Sequence, residues 1–149
     1  MKVLLLYPRF PKTFWSYDEF MKIAGLKAFI PALGILTVAA MLPTDWEVRF
    51  YDRNVNQETD ADWQWCDIVI LSAMLAQKED FLAQIHKAAQ LGKKVAVGGP
   101  YPTSVPEPAQ KAGANYFINS DRINFAHKNQ TLKFDLPLVL NSPVLQLTL

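Results

Sequence analysis

Few side chains in this sequence are of the types that carry out covalent chemistry. There are two histidines, His86 and His127, and one cysteine, Cys66. Ser72 ends an apolar run, but no G-x-S-x-G motif surrounds it, so no serine nucleophile of the hydrolase type is predicted. The pattern around His86 is typical of a residue on a helix face. The position of Cys66, just before an apolar run, is typical of a small buried residue. We therefore expect no nucleophile–base pair and no catalysis by this chain alone.

The glycine pair Gly98-Gly99, together with Ser72, indicates binding rather than catalysis. Two consecutive residues without side chains permit either a tight turn with positive φ or the close approach of a ligand to the backbone. The sequence contains neither G-x-G-x-x-G nor G-x-x-x-x-G-K-[ST], so no nucleotide phosphate loop is expected. It also lacks the acidic cluster of a phosphoacceptor site, since Asp52 stands alone after its apolar run. The hydroxyl of Ser72 would either close a turn or hydrogen-bond a ligand.

Composition and charge limit the partners. The 149 residues carry a formal net charge of +1, and the basic residues are scattered, so no nucleic-acid surface is predicted. A single cysteine forms neither a zinc site nor an iron–sulfur cluster. No apolar stretch is long enough for a signal peptide or a membrane span, and we expect a cytoplasmic protein without membrane contact.

The elements that position Ser72 and the glycines follow an alternating pattern. Apolar runs without alternation are typical of strands buried on both faces of a parallel sheet. They occupy residues 2–7, 47–51, 67–71, 93–97 and 115–118. Helical spacing of apolar residues is found between them, at 31–42, 78–91 and 106–112, with a turn or two of helix expected within 54–65. This predicts an α/β fold, a flavodoxin-like three-layer sandwich of about five parallel strands in the order 2-1-3-4-5.

In such a sheet, ligands bind beyond the carboxyl ends of the strands, where the strand order reverses. Those ends are residues 7–10, 72–74 and 98–100, so Ser72 and the glycine pair are predicted to meet at one rim. The segment 8–30 is long and rich in aromatic residues, which is common in functional loops. Residues 121–149 alternate with a period of two and are expected to form an atypical, extended or strand-like tail after a domain of residues 1–120.

Taken together, these residues resemble a known family. Ser72-Ala73-Met74 and Gly98-Gly99 are similar, in type and separation, to the S-x-L and G-G elements of cobalamin-binding Rossmann-like domains. The segments KVLLLYPRFP (2–11), FW (14–15), PALGILTVAA (31–40) and GGPYPT (98–103) resemble the N-terminal domain of cobalamin-dependent radical S-adenosylmethionine proteins. The resemblance covers about residues 1–118.

The resemblance implies a corrinoid site at the rim. The cobalamin tail would lie against the ends of the third and fourth strands. The loop that follows the first strand, here called the first loop, would cover the ring. The residues that it implies as cofactor contacts are Pro8, Arg9, Phe10, Trp15, Ser72, Ala73, Met74, Gly98, Gly99, Pro100 and Tyr101. Metal would enter only as the cobalt of the cofactor.

The sequence departs from the family in two ways. The D-x-H-x-x-G element, whose histidine coordinates cobalt, is absent, because no histidine precedes His86. The cysteines of the radical domain are also absent, which implies a free-standing or truncated module with a radical S-adenosylmethionine partner supplied in trans.

Two other functions are compatible with the same fold. A degenerate interaction domain would bind no cofactor and would use its exposed aromatics and strand-like tail to pair with another protein or itself. An enzyme of small-molecule chemistry could use the same cleft, but no nucleophile–base pair supports it.

Overall fold

The computed structural model describes residues 1–12, 23, 25, 32–119, 122–127 and 130–133. The strands among these residues are β1 (Lys2–Tyr7), β2 (Glu47–Asp52), β3 (Ile68–Ser72), β4 (Lys94–Gly98), β5 (Tyr116–Asn119), β6 (Arg122–His127) and β7 (Gln130–Lys133). The helices are α1 (Leu33–Ala40), α2 (Asp60–Trp65), α3 (Lys78–Gln90), α4 (Pro100–Ser104) and α5 (Glu107–Ala112). A 3₁₀ turn (Leu75–Gln77) leads directly into α3.

The first five strands form a parallel sheet in the order β2-β1-β3-β4-β5, as predicted. Strands β1, β3 and β4 lie inside the sheet, and their apolar residues alternate between two covered faces. This double burial explains why these strands are continuous apolar runs in the sequence.

The sheet continues beyond β5 with two further strands in the predicted tail. Strand β6 pairs antiparallel with β5, and β7 pairs antiparallel with β6. The apolar alternation noted in the sequence beyond residue 133 lies outside the described residues.

Among the described residues, helices cover the two faces of the sheet unequally. On one face, α1 packs Ile35 and Ala39 against Leu5 and Ile70. Residues of α2, α3 and α5 cover the other face, where the fully buried Phe81 belongs to the core cluster. The face under the single described helix α1 carries the candidate site.

Asp62 fastens α2 to the edge strand β2. Its carboxylate accepts hydrogen bonds from the Thr59 hydroxyl, from Arg49 and from the Tyr51 hydroxyl, at 2.7, 2.6 and 3.0 Å. These bonds, those from Thr59 above all, hold the pKa of Asp62 well below its usual value although the carboxylate is buried. The carboxylate of Asp62 therefore stays ionised and holds α2 beside β2.

Candidate functional site

Residues at or next to the ends of four neighbouring strands form a row across the face that α1 covers. Ser72 is paired with Gly98, and Gly98 with Ile118. Tyr7 comes next to Ser72, because the preceding pair is Leu6 and Leu71. Two large side chains thus flank a serine and a glycine, and the row has a depression in its middle.

A cavity of about 590 Å³ lies over this depression, between α1, the row and α4. Its volume falls within the roughly 300–1,000 Å³ typical of sites for small molecules and cofactors. The residues that line it come from four strands, the loops after them and two helices. They are Tyr7, Ala32, Leu33, Gly34, Ile35, Thr37, Val38, Ile70, Leu71, Ser72, Ala73, Met74, Gly98, Gly99, Pro100, Thr103, Ser104 and Ile118.

Gly34 keeps the wall of the cavity open on the helix side. A Cβ atom added there would have one neighbour within 4 Å, the Ser72 Oγ at 4.0 Å. Glycine within a helix costs up to about 1 kcal/mol relative to alanine, so its place here is not explained by helix propensity. The missing side chain leaves the space between α1 and Ser72 open to a ligand.

The cavity offers neutral polar groups on an apolar wall. Ser72, Thr103 and Ser104 carry hydroxyls, and no charged side chain belongs to the described residues of the lining. Burial and the nearby charge of Asp52 raise the pKa of Tyr7, so its phenol stays protonated at neutral pH. This set of groups suits an uncharged, partly apolar ligand portion with a few hydrogen-bonding atoms.

Gly99 satisfies a requirement of the fold. It has φ +90° and ψ 173°, a region that is almost exclusive to glycine. A Cβ atom there would lie 2.7 Å from Ser72 Oγ and 2.9 Å from both the backbone nitrogen and oxygen of Ala73. The interpretation of a tight turn with positive φ is therefore confirmed for this residue.

Gly98 is confined by the neighbouring strand. Its added Cβ atom would lie 3.1 Å from the carbonyl oxygen of Ile118 and 3.3 Å from the Cβ of that residue. A valine at position 98 would disturb β5 as well as any ligand. Loss of binding in a Gly98→Val variant would therefore not distinguish a blocked ligand from a displaced β5.

The structure brings together six of the residues that the sequence predicted as cofactor contacts. Ser72, Ala73, Met74, Gly98, Gly99 and Pro100 all line the cavity. The role of each as a cofactor contact remains a prediction.

The predicted ring-covering segment lies beside the cavity and does not line it. Pro8 is buried, while Arg9 and Phe10 are partly exposed. The Phe10 ring packs edge-on against Tyr7, a cavity residue, with ring centroids 6.1 Å apart. Trp15, the fourth predicted residue over the ring, lies outside the described residues.

Tyr101 follows the glycine turn but points to the opposite face of the sheet. Its buried ring packs edge-on against Phe81 with centroids 5.8 Å apart. It is absent from the cavity lining, because α4 directs Thr103 and Ser104 toward the cavity and Tyr101 into the core.

Sequence reasoning missed the contribution of α1 to the site. Leu33, Gly34 and Thr37 line the cavity, and the glycine inside a predicted helix was the signal that could have indicated it. The hydroxyls of Thr103 and Ser104 carried no comparable signal, since such residues are common in turns.

Two negative findings apply to the part of the chain that the structure describes. Within it, no three His, Cys, Asp or Glu side chains are grouped so that they could hold a metal ion. Within the same residues, no helix combines the length and the apolar character needed to span a membrane. His86 is exposed on α3, as its helical pattern predicted.

Comparison with known families decides the classification. The model of the B12 binding domain matches residues 23–121. The chain belongs to the B12-binding domain family. This confirms the resemblance inferred from the serine and glycine elements, and the matched range contains nearly all of the cavity lining.

Two curated relatives match this chain over more than two thirds of its length. An uncharacterized methyltransferase of Synechocystis is 48% identical over 118 residues, which are 79% of this chain and 22% of that protein. The hopanoid C-2 methylase of Rhodopseudomonas palustris is 33% identical over 107 residues, 71% of this chain and 20% of that protein. The chain thus spans about a fifth of the length of the curated relatives that it matches. No solved structure gives a significant match.

Proposed function

We propose that this B12-binding domain holds a cobalamin-type corrinoid with its nucleotide tail in the cavity between α1 and the row formed by Tyr7, Ser72, Gly98 and Ile118. The observation that carries this proposal is the open space beside Gly34. There, a helix and two strand ends leave a slot that no side chain of the described residues fills.

The residues around the cavity suit the uncharged base at the end of such a tail. An elongated tail needs a deep, narrow space with apolar walls, and Ile35, Ile70 and Ile118 supply buried apolar surface. The Ser72 hydroxyl stands in the middle of the row, where it can hydrogen-bond a polar atom of the tail. The family match supports corrinoid as the ligand class, and the geometry supports this place for the tail.

The ring would lie over the rim, against the first loop and the exposed side chain of Met74. Met74 is 40% exposed and Leu33 67% exposed, which provides apolar surface at the mouth of the cavity. No histidine precedes His86 in the sequence, so the first loop offers no imidazole ligand to cobalt. When bound, the corrinoid would supply a cobalt centre able to carry a methyl group.

We further propose that the domain serves a methyl-transferring radical S-adenosylmethionine protein, joined to it or as a separate partner. The support is the identity to a methyltransferase and a methylase that are both much longer than the aligned region. In this arrangement the chain binds and orients the cofactor, and the reaction takes place on the other part.

Retention of hydroxocobalamin tests the binding proposal. The purified protein is incubated with the ligand, desalted and examined for visible corrin absorbance, and the dissociation constant is measured by equilibrium dialysis. We expect about one corrinoid per chain and a dissociation constant in the micromolar range or below, as a cavity of this size allows.

A protein that remains colourless at high micromolar ligand would reject the proposal. That result would instead favour the interaction domain without a cofactor, and sedimentation of the same sample would reveal self-association. Serum albumin desalted in parallel controls for unspecific adsorption.

A further inference from the structure

Polar side chains join the loops of the rim to one another. Gln77 is fully buried, with 0% exposure. Its Nε2 donates to the carbonyl oxygen of Pro8 at 2.5 Å, and its Oε1 accepts from the backbone nitrogen of Met74 at 2.8 Å. One amide therefore links the loop after β1 to the loop after β3.

Asp80, in the first turn of α3, continues the connection. Its Oδ2 accepts from the backbone nitrogen of Arg9 at 2.7 Å and from Arg53 Nε at 2.9 Å. Its Oδ1 accepts from Gln84 Nε2 at 3.0 Å. Arg53 also pairs with the buried carboxylate of Glu58. The carboxylate of Asp80 thus fixes the loop after β1 to the end of β2.

Asn54 fixes the same loop from the side of β2. Its Oδ1 accepts from the backbone nitrogen of Phe10 at 2.8 Å, and its Nδ2 donates to Pro8 O at 3.3 Å. Three consecutive residues of the first loop therefore have backbone groups held by side chains from other parts of the chain.

Packing alone does not explain a glutamine at position 77. Burying an amide is unfavourable unless its hydrogen bonds are made, and an apolar side chain of similar size would fill the same space. What an apolar residue lacks is the ability to hold Pro8 and Met74 at a fixed separation. Met74 borders the cavity and the first loop lies beside it, so this separation sets the shape of the rim.

We infer that Gln77 and Asp80 are positioning residues that preorganise the rim of the corrinoid site, an inference that rests on the proposed function. These two residues, with the backbone groups of Pro8, Arg9 and Met74, are called the rim clamp. A rim that is ordered before the ligand arrives loses less conformational entropy on binding, which increases affinity without any contact to the ligand.

The test uses Gln77→Met, which keeps the approximate shape of the side chain and removes both hydrogen bonds. We expect the Met74 amide to exchange its hydrogen at least about ten times faster in the ligand-free protein, because its acceptor is lost. We also expect the dissociation constant for hydroxocobalamin to rise about tenfold. Ile85→Val is the matched control, because it loosens the core packing of α3, the helix that begins directly after Gln77.

The comparison with Ile85→Val separates positioning from simple stability. The inference requires Gln77→Met to weaken binding while Ile85→Val, at a similar loss of melting temperature, changes the dissociation constant by less than about twofold. Equal weakening by both variants, or unchanged affinity in Gln77→Met, would overturn it. If the wild type retains no corrinoid, the proposed function fails, and so does the role of the clamp in binding. Protection of the Met74 amide would then still report whether the clamp is formed.

Discussion

The Gly34→Phe variant is expected to lose at least about 100-fold in affinity for hydroxocobalamin while remaining folded. The Cβ atom of a side chain at position 34 would lie 4.0 Å from Ser72 Oγ with no other neighbour within that distance, so the backbone there accepts a Cβ without a clash. A phenyl ring extended from there would occupy the space between α1 and the strand ends. Equilibrium dialysis gives the affinity, and urea denaturation gives the free energy of unfolding.

Gly34→Ala is the matched control for this prediction. A methyl group projects little into the cavity, and alanine favours the helix by up to about 1 kcal/mol. We expect its dissociation constant to stay within about threefold of wild type and its stability to be equal or higher. Wild-type affinity in Gly34→Phe would show that the ligand does not use this space.

The Gly99→Ala variant is expected to lose about 3 kcal/mol or more of unfolding free energy. The backbone conformation at φ +90° is strained for any residue with a Cβ, and the added atom would lie 2.7 Å from Ser72 Oγ. For a domain of this size, the loss corresponds to a decrease in melting temperature of about 10 °C. Urea denaturation and thermal unfolding both measure it.

Gly92→Ala serves as the control for backbone strain without a clash. Gly92 has φ +67°, and a Cβ there would have no neighbour within 4 Å. We expect this variant to lose only about 1 kcal/mol. If Gly99→Ala costs no more than Gly92→Ala, the close approach of the fourth strand's end to Ser72 and Ala73 is not a constraint on the fold.

The sheet was predictable because burial on both faces leaves a direct mark on the sequence. The runs at β1, β3 and β4 contain hardly any polar residue, and this pattern indicates interior parallel strands. Once the strand order is known, Ser72 and Gly98 must end side by side, as their pairing confirms. The adjacency of Ser72 and Gly98 in the site therefore follows from the order and the ends of the strands alone.

The parts of the site that depend on other elements were less accessible to sequence reasoning. Tyr101 lies two residues after Gly99 in the sequence, but the start of α4 places its ring on the opposite face. The contact of Gln77 with Pro8 spans 69 positions in the chain, and no local pattern marks it. A glutamine just before a helix appears as an ordinary polar residue, so only the folded structure reveals its two backbone partners.

The glycine pair also required the structure for its interpretation. Sequence reasoning assigned both glycines to contact with the cofactor tail or to a turn. The geometry gives Gly99 a role in the turn and brings Gly98 close to Ile118, while Gly34 is the residue whose missing side chain opens the cavity. Variants at position 34 therefore examine ligand binding with less disturbance of the fold than variants at position 98.

The most direct measurement compares hydroxocobalamin with cobinamide, the corrinoid without the nucleotide tail, in the wild type and in Gly34→Phe. If the tail occupies the cavity, the wild type binds hydroxocobalamin at least about 100-fold more tightly than cobinamide, and Gly34→Phe removes that difference. Equal affinity of the wild type for both ligands, or a difference that persists in Gly34→Phe, would contradict placement of the tail between α1 and the strand ends.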